Sequence, residues 1–303
     1  MDEMRYDGRV AVITGGGRGL GRSYALLLAA KGAKVVVNDN GSAIVGEGSD
    51  AGPAQQVVDE IRAAGGEAVA STDTVATAEG GAAIVQCALD SFGRIDALIH
   101  NAGNVRYGTL DAISYDDFKA VSDVHLRGAF NVVRPAFPLM RAQNYGRVVL
   151  TSSIGGVYGN NRCVNYAMAK SSMIGLANVI ALEGEAHDVK ANVIVPSAVT
   201  RMADGLDISQ YPPMEPELVA PAVAWLCHEK CSLSGEMIAA IGGRVARAFI
   251  AETRGVYQPS WTVEQVDAAM PGILAKDEVL DFGLHGHVDH ILYSFAMAHE
   301  GAK

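Results

Sequence analysis

Val10-Ala11-Val12-Ile13-Thr14-Gly15-Gly16-Gly17-Arg18-Gly19-Leu20-Gly21 decides how the rest of the chain is read. Its first four residues are apolar, have no polar face and are too few for a helix. They read as a strand buried on both sides, as in a parallel sheet. The glycines form a turn, and Leu20–Ala30 then runs at helical period. The same alternation continues outward. Short β-branched runs recur at Lys34–Val37, Ala68–Ala70, Ile95–Ile99, Arg147–Leu150, Lys190–Val195 and Met237–Ile241. Between them lie helical stretches at Pro53–Ala64, Ala76–Phe92, Tyr115–Ala142, Cys163–His187 and Pro216–His228. Strand-helix alternation implies right-handed crossovers, and hence an α/β fold with a doubly wound parallel sheet between two helical layers. Gly32 and Gly65 follow two of the helices where C-caps are expected.

The glycines at 15, 19 and 21 are spaced G-x-x-x-G-x-G. They permit a tight turn and let backbone approach a pyrophosphate, which the N–H groups at the following helix start would hold. The turn lacks the Lys-Ser/Thr ending of a P-loop, which argues against nucleoside triphosphate chemistry. Asp39 ends the second strand, twenty residues beyond Gly19. A carboxylate there accepts from ribose hydroxyls and repels a 2′-phosphate, favouring NAD over NADP. Arg18 is the competing cue, and an ordinary solvated turn residue is the plainer reading of Asp39. Asp73, past the third strand, either edges the adenine site or caps a helix starting near Val75. Asn101-Ala102-Gly103 sits at the end of the fourth strand, where open α/β sheets bind ligands.

Composition narrows the rest. The 303 residues carry 24 Lys plus Arg against 34 Asp plus Glu, a net charge of −10, which argues against a phosphate-backbone partner. An apolar content of 49% is too high for disorder. No apolar run approaches the ~20 residues of a membrane span. The N-terminus lacks the apolar core of a signal peptide, so a cytoplasmic protein with reduced thiols is expected. Cys227, His228 and Cys231 have the wrong spacing for a zinc knuckle, and His285, His287 and His290 lack a completing acid or Cys; no metal is expected.

Ser152-Ser153 end the fifth strand, and Tyr166 and Lys170 follow at i and i+4 on one helical face. An ammonium beside a phenol is expected to lower its pKa, making the phenol a competent base toward a secondary alcohol. Ser153 would hold the substrate oxygen. In this order, Thr14–Gly21, Asn101–Gly103, Ser153, Tyr166-Ala167-Met168-Ala169-Lys170 and Gly242-Gly243 resemble the short-chain dehydrogenase/reductase family. The resemblance spans roughly residues 5–245. It implies a Rossmann-like sheet of strand order 3-2-1-4-5-6-7, with Tyr166 as acid/base and Lys170 on the nicotinamide ribose. It also implies dinucleotide contacts from Gly15, Gly17, Arg18, Gly19, Leu20, Gly21, Asp39, Asp73, Thr74, Asn101, Ala102, Gly103, Tyr166, Lys170, Pro196, Val199 and Thr200.

One departure stands out. Where the family carries a catalytic Asn, this chain reads Val124-His125-Leu126-Arg127-Gly128. His125 is expected to support a proton-relay water and to titrate near neutral pH, the alternative being a packing role alone. Together with Val37-Asn38-Asp39, Tyr158-Gly159-Asn160, Gly175–Asn178, Ala181–Gly184, Arg201-Met202 and Trp225–Glu229, that stretch resembles the (3R)-hydroxyacyl-CoA dehydrogenase unit of type 2 peroxisomal multifunctional enzymes, also called 17β-hydroxysteroid dehydrogenase type 4. The unit is expected to stand alone, and the Arg- and Ala-rich composition suggests a bacterial member.

The leading expectation is an NAD-dependent oxidoreductase acting on a 3-hydroxyacyl-CoA or a steroid-derived hydroxyl. The alternatives are a family member acting on a small alcohol or sugar, and a non-catalytic dinucleotide sensor. Arg106, Arg162 and Arg201 are candidates to meet an anionic CoA, against a reading as solvated surface. Arg201–Pro213 is the expected substrate lid. Residues 1–245 are expected as the catalytic domain. Residues 246–303 read as an extension on that domain or at a subunit contact, with amphipathic pieces near Val263–Met270 and Val288–Ala298. A homodimer or homotetramer paired through the long helices is the family expectation.

Overall fold

The structure is a computed structural model that describes residues 3–200 and 212–301. Eight strands form one sheet in the order β3-β2-β1-β4-β5-β6-β7-β8. Its centre is β1 (Val10–Thr14), flanked by β2 (Lys34–Asn38) and β4 (Ala97–His100), with β5 (Gly146–Thr151) beyond. Every residue of β1, β4 and β5 is buried, which is why these runs carry no polar alternation. β3 (Ala68–Ser71) lies outside β2, and β6 (Val189–Ser197) and β7 (Met237–Ile241) extend the other side; all these pairings are parallel. The expected order of seven strands is therefore the observed one.

The eighth strand, β8 (Arg244–Ala248), was not read from the sequence. It follows β7 after Gly242-Gly243, both at positive φ (52° and 80°), the backbone of a two-residue hairpin turn. Gly-Gly after a β-run was the available signal.

Helices cover both faces. On one, α1 (Gly19–Ala30) packs against α2 (Gly52–Ala63) and α8 (Ala220–Leu226), enclosing a core that includes Tyr24, Leu28, Val57, Ile61 and Val223. On the other, α3 (Ala78–Phe92), α5 (Gly128–Gln143) and α7 (Val164–Gly184) pack in succession. The stretch Tyr115–Ala142, read as one helix, is interrupted. α4 (Tyr115–Ser122) passes into a π-helical turn, Asp123–Arg127, before α5 begins. Gly128 closes that turn against Val75, and a Cβ there would stand 2.9 Å from Val75 Cγ2. Single π-turns inside helices recur at functional positions, and this one carries His125. A short α6 (Ile154–Tyr158) also escaped the sequence reading.

The chain divides into two units, Met1–Arg247 and Ala248–Lys303. The second holds the antiparallel pair β9 (Glu252–Thr253) and β10 (Val279–Leu280), with α9 (Val263–Ile273) and α10 (Gly286–Gly301). Thr262 and Gln265 form a capping box at the start of α9. None of this unit's described residues is buried. Among the described residues no helix is long and apolar enough to cross a membrane.

Candidate active site

Thr14 organises the carboxyl ends of β1 and β4. Its Oγ1 accepts the backbone N–H groups of Asn101 and Ala102 at 3.1 Å each, and Asn101 Nδ2 donates to the Gly15 carbonyl at 3.0 Å. Gly15 lies at φ +62°, and a Cβ there would stand 2.7 Å from Ala102 Cα. At Gly21 a Cβ would fall 2.0 Å from the Gly15 oxygen, so only glycine lets α1 close onto the turn.

A cleft of about 340 Å³ opens above these strand ends. Gly15, Arg18, Gly19 and Leu20 line it, as do Asp39, Asp73, Thr74, Asn101, Ala102, Gly103 and Thr200. Arg18, the N-cap of α1, makes no side-chain cap bond, so the helix start presents unsatisfied N–H groups. Asp39 accepts from Gly17 N at 2.9 Å and Gly41 N at 2.8 Å, which holds its carboxylate at the rim. Asp73 is not a helix cap: Thr77 takes that place on α3 by accepting from Gly80 N, whereas Asp73 faces the cleft. A glycine-walled groove, an open helix N-terminus and a fixed carboxylate together fit a dinucleotide. Some expected contacts lie elsewhere. Gly17 sits against Asp39, Gly21 against Gly15, Pro196 opposite Ala240 in the sheet, and Val199 donates to Met214 O at 2.7 Å; none of these four lines the cleft.

Gly103 separates the cleft from a cluster of reactive side chains. A Cβ on it would meet His125 Cε1 at 2.5 Å. Behind the imidazole stands Tyr166, its ring edge-on at 5.2 Å between centroids. Ser153 accepts from Gly155 N at 3.1 Å, which caps α6 and leaves the hydroxyl proton for its hydrogen bond with Tyr166. Lys170, 3% exposed, donates from Nζ to the Thr151 carbonyl at 2.7 Å, with Nζ 5.8 Å from the Tyr166 ring centroid. Gly156 allows α6 and α7 to approach, since a Cβ there would stand 2.6 Å from Lys170 Cβ. The structure thus brings Ser153, Tyr166, Lys170 and His125 to one place.

Two electrostatic expectations are corrected. Burial pushes the Tyr166 phenol above its ordinary value, and the Ser153 hydrogen bond only opposes this. The same burial strips Lys170 of hydration and brings it down to about 7, so the lysine does not carry the full charge that was to depress the phenol. His125 does not titrate near neutrality. Burial holds it well below 6.5, the neighbouring Lys170 acts in the same sense, and the hydrogen bond with Asn104 only opposes them. Its Nε2 lies 3.1 Å from Asn104 N and 2.8 Å from Asn104 O, and its Nδ1 has no hydrogen-bond partner among the described residues.

Sequence reading missed His100. It is fully buried and brought down to about 3 by burial and by Lys170. Thr14 already accepts two N–H groups, so its own proton goes to His100 Nδ1, 3.1 Å away, which places the ring proton on Nε2. A polar residue closing a fully buried strand was the available signal. Asn165 was missed as well: it is wholly buried, accepts from Tyr166 N at 2.8 Å and donates to Arg106 O at 3.1 Å.

Of the candidate CoA cations, Arg106 is engaged with Asp117 at 2.8 Å, Arg162 is exposed at φ +62°, and Arg201 lies outside the described residues. So does the expected lid as far as Tyr211. Both ring nitrogens of His228 are occupied, by Arg5 O and Lys230 N at 3.1 Å each. His290 pairs with Glu252 at 3.1 Å.

Comparison with known proteins agrees with this geometry. The chain matches the short chain dehydrogenase family over residues 9–207. It is 49% identical over 261 residues to the peroxisomal multifunctional enzyme type 2 of Drosophila melanogaster, covering 85% of this chain and 43% of that protein. The solved full-length structure of that fly enzyme superposes with a TM-score of 0.80 at 40% identity, over 96% of this chain and 50% of the other. The chain therefore spans half or less of that relative's length. A short-chain type dehydrogenase/reductase of Mycobacterium tuberculosis is 47% identical over 240 residues, 79% of this chain and 84% of that one. A family match across more than half of the chain, joined to a relative covered over most of its own length, leaves one assignment: the chain is an oxidoreductase enzyme of the short-chain dehydrogenase/reductase family.

Proposed function

We propose that this enzyme interconverts a secondary alcohol and a ketone with NAD, on a 3-hydroxyacyl-CoA or a steroid-derived hydroxyl. Membership of the family implies an NAD(P) cofactor. The observation that carries the reaction is the convergence of Ser153, Tyr166 and Lys170 behind Gly103, at the end of a dinucleotide-shaped cleft. The Asp39 carboxylate, held by Gly17 and Gly41, supports NAD because a 2′-phosphate would meet its charge, with Arg18 on the same cleft as the opposing cue. The subgroup resemblance and the type 2 multifunctional relative support the substrate class.

Ser153 holds the substrate oxygen, and Tyr166 Oη takes the hydroxyl proton in oxidation and returns it in reduction. Lys170, anchored on Thr151 O and brought down to about 7 by burial, places an amine that carries only part of a positive charge at neutral pH beside the phenol. Held along the cleft by residues such as Gly19, Asp39 and Asn101, an oxidised dinucleotide would supply the hydride acceptor for the carbinol carbon. The enzyme works as a homodimer or homotetramer in this reading, pairing through α5 and α7, where Phe130, Met168, Val179 and Leu182 are exposed.

A spectrophotometric screen of NAD and NADP reduction across hydroxyacyl-CoAs, hydroxysteroids and small alcohols tests this. NAD reduction by a 3-hydroxyacyl-CoA or hydroxysteroid is expected, and Asp39→Ala should narrow the preference over NADP. Preference for NADP, or turnover confined to small alcohols, would contradict it.

A further inference from the structure

The segment between β2 and α2, longer than most strand-helix connections, lies along the cleft. Asn40, Ser42, Ile44 and Gly46 all line it. The segment is folded on itself, with Ala43 N donating to Glu47 O at 2.8 Å and Asp50 N to Asn40 O at 2.8 Å. Its outer end is pinned to the stretch that follows Asn101–Gly103. Val105 N donates to Ile44 O at 3.1 Å, and Arg106 Nε donates to Val45 O at 3.0 Å. Gly46 approaches so closely that a Cβ would stand 2.5 Å from Asn104 Nδ2.

Arg106 faces the other way as well. Its Nη1 donates to Asp117 in the first turn of α4 at 2.8 Å. Its carbonyl accepts from the buried Asn165 Nδ2 at 3.1 Å, and Asn165 Oδ1 accepts the backbone N–H of Tyr166 at 2.8 Å. An unbroken series of bonds thus runs from Val45, through Arg106 and Asn165, to the backbone of the acid/base residue. The arm from Arg106 to Glu47, at 3.4 Å with Glu47 73% exposed, adds little. The charge-assisted bonds to Val45 O and Asp117 are the strong ones.

We propose that Arg106 is a positioning residue that couples closure of the Asn40–Gly52 segment over the dinucleotide to the placement of Tyr166. This rests on the dinucleotide reading of the cleft. It assigns Arg106 a role inside the protein in place of contact with an anionic substrate.

Arg106→Met tests the coupling, with Arg106→Lys as the second variant in case the first folds poorly. NADH affinity is read by fluorescence titration, and kcat at saturating NAD and substrate. Loss of the side-chain bonds to Val45 O and Asp117, which leaves the Arg106 carbonyl on Asn165 without its anchors, should weaken NADH about ten-fold and lower kcat about five-fold, with Arg106→Lys intermediate. A purely structural role would lower thermal stability and leave both values unchanged. A role in closure alone would weaken NADH and leave kcat unchanged. Either result overturns the proposal. Failure of the wild-type protein to bind NADH would instead overturn the dinucleotide reading. The pin itself is then read without ligand, by hydrogen exchange at the Val105 amide. That amide should lose protection in Arg106→Met, and unchanged protection would overturn the pin.

Discussion

The imidazole of His125 meets the ring of Tyr166 edge to face, with centroids 5.2 Å apart and planes at 85°. The imidazole is 1% exposed and sits in the π-helical turn between α4 and α5. Its contact is therefore with the proposed acid/base residue, and its charge is absent at neutral pH. Such an aromatic pair is worth about 1 kcal/mol, so His125→Ala is expected to lower kcat by about five-fold to ten-fold. The pH profile of kcat between pH 5.5 and 9 should keep its shape. A wild-type limb near 6.5 that disappears in the variant would show that His125 titrates after all.

Lys170 makes stability depend on pH. Its folded value, about 7, lies below its ordinary 10.5, so the unfolded chain holds the proton across that window while the folded chain has released it. Stability attributable to the group is fully present above 10.5 and is lost as pH falls through 7. Urea unfolding of the ligand-free wild type and of Lys170→Met should show the wild type gaining on the variant by up to about 1.4 kcal/mol per pH unit from pH 7 to 9. A constant difference would mean that the lysine is not desolvated.

The raised phenol of Tyr166 gives the two directions opposite pH preferences. A protonated phenol is ready to donate to a ketone, whereas accepting from an alcohol requires its ionisation. Reduction should hold its rate from pH 6 to 8, and oxidation should rise through the same range, by up to about ten-fold per unit. Initial rates in both directions check this, and oxidation that is flat with pH would contradict it.

Gly21 is the strictest packing position of the glycine turn. The atoms that an added Cβ would meet include the Gly15 carbonyl, which is backbone and cannot rotate away. Gly21→Ala should cost about 2–3 kcal/mol of stability and weaken NADH binding. Unfolding and fluorescence titrations measure both, and a change under about 0.5 kcal/mol would mean that α1 shifts without cost.

The fold was legible because its central strands are buried on both faces and its helices carry the 3.6 period. The site was legible wherever chemistry forces residue type: the glycines, Asp39, Ser153, Tyr166 and Lys170. What escaped was set by tertiary packing. The break at Asp123–Arg127 has no proline to announce it. His100 is an ordinary strand residue until Thr14 and Lys170 surround it. Arg106 read as a free cation because the carbonyl and carboxylate that hold it, Val45 and Asp117, lie 61 and 11 residues away. The phenol and lysine values were misjudged for a related reason. Spacing places a charge beside a ring but does not reveal how much water both lose.

The central claim is that Tyr166 moves the proton. The direct measurement is steady-state NAD reduction by Tyr166→Phe with a substrate the wild type turns over, alongside an NADH titration of the same protein. The account predicts a loss of kcat of about a thousand-fold or more with NADH affinity unchanged. Retained turnover within about ten-fold of wild type would contradict it.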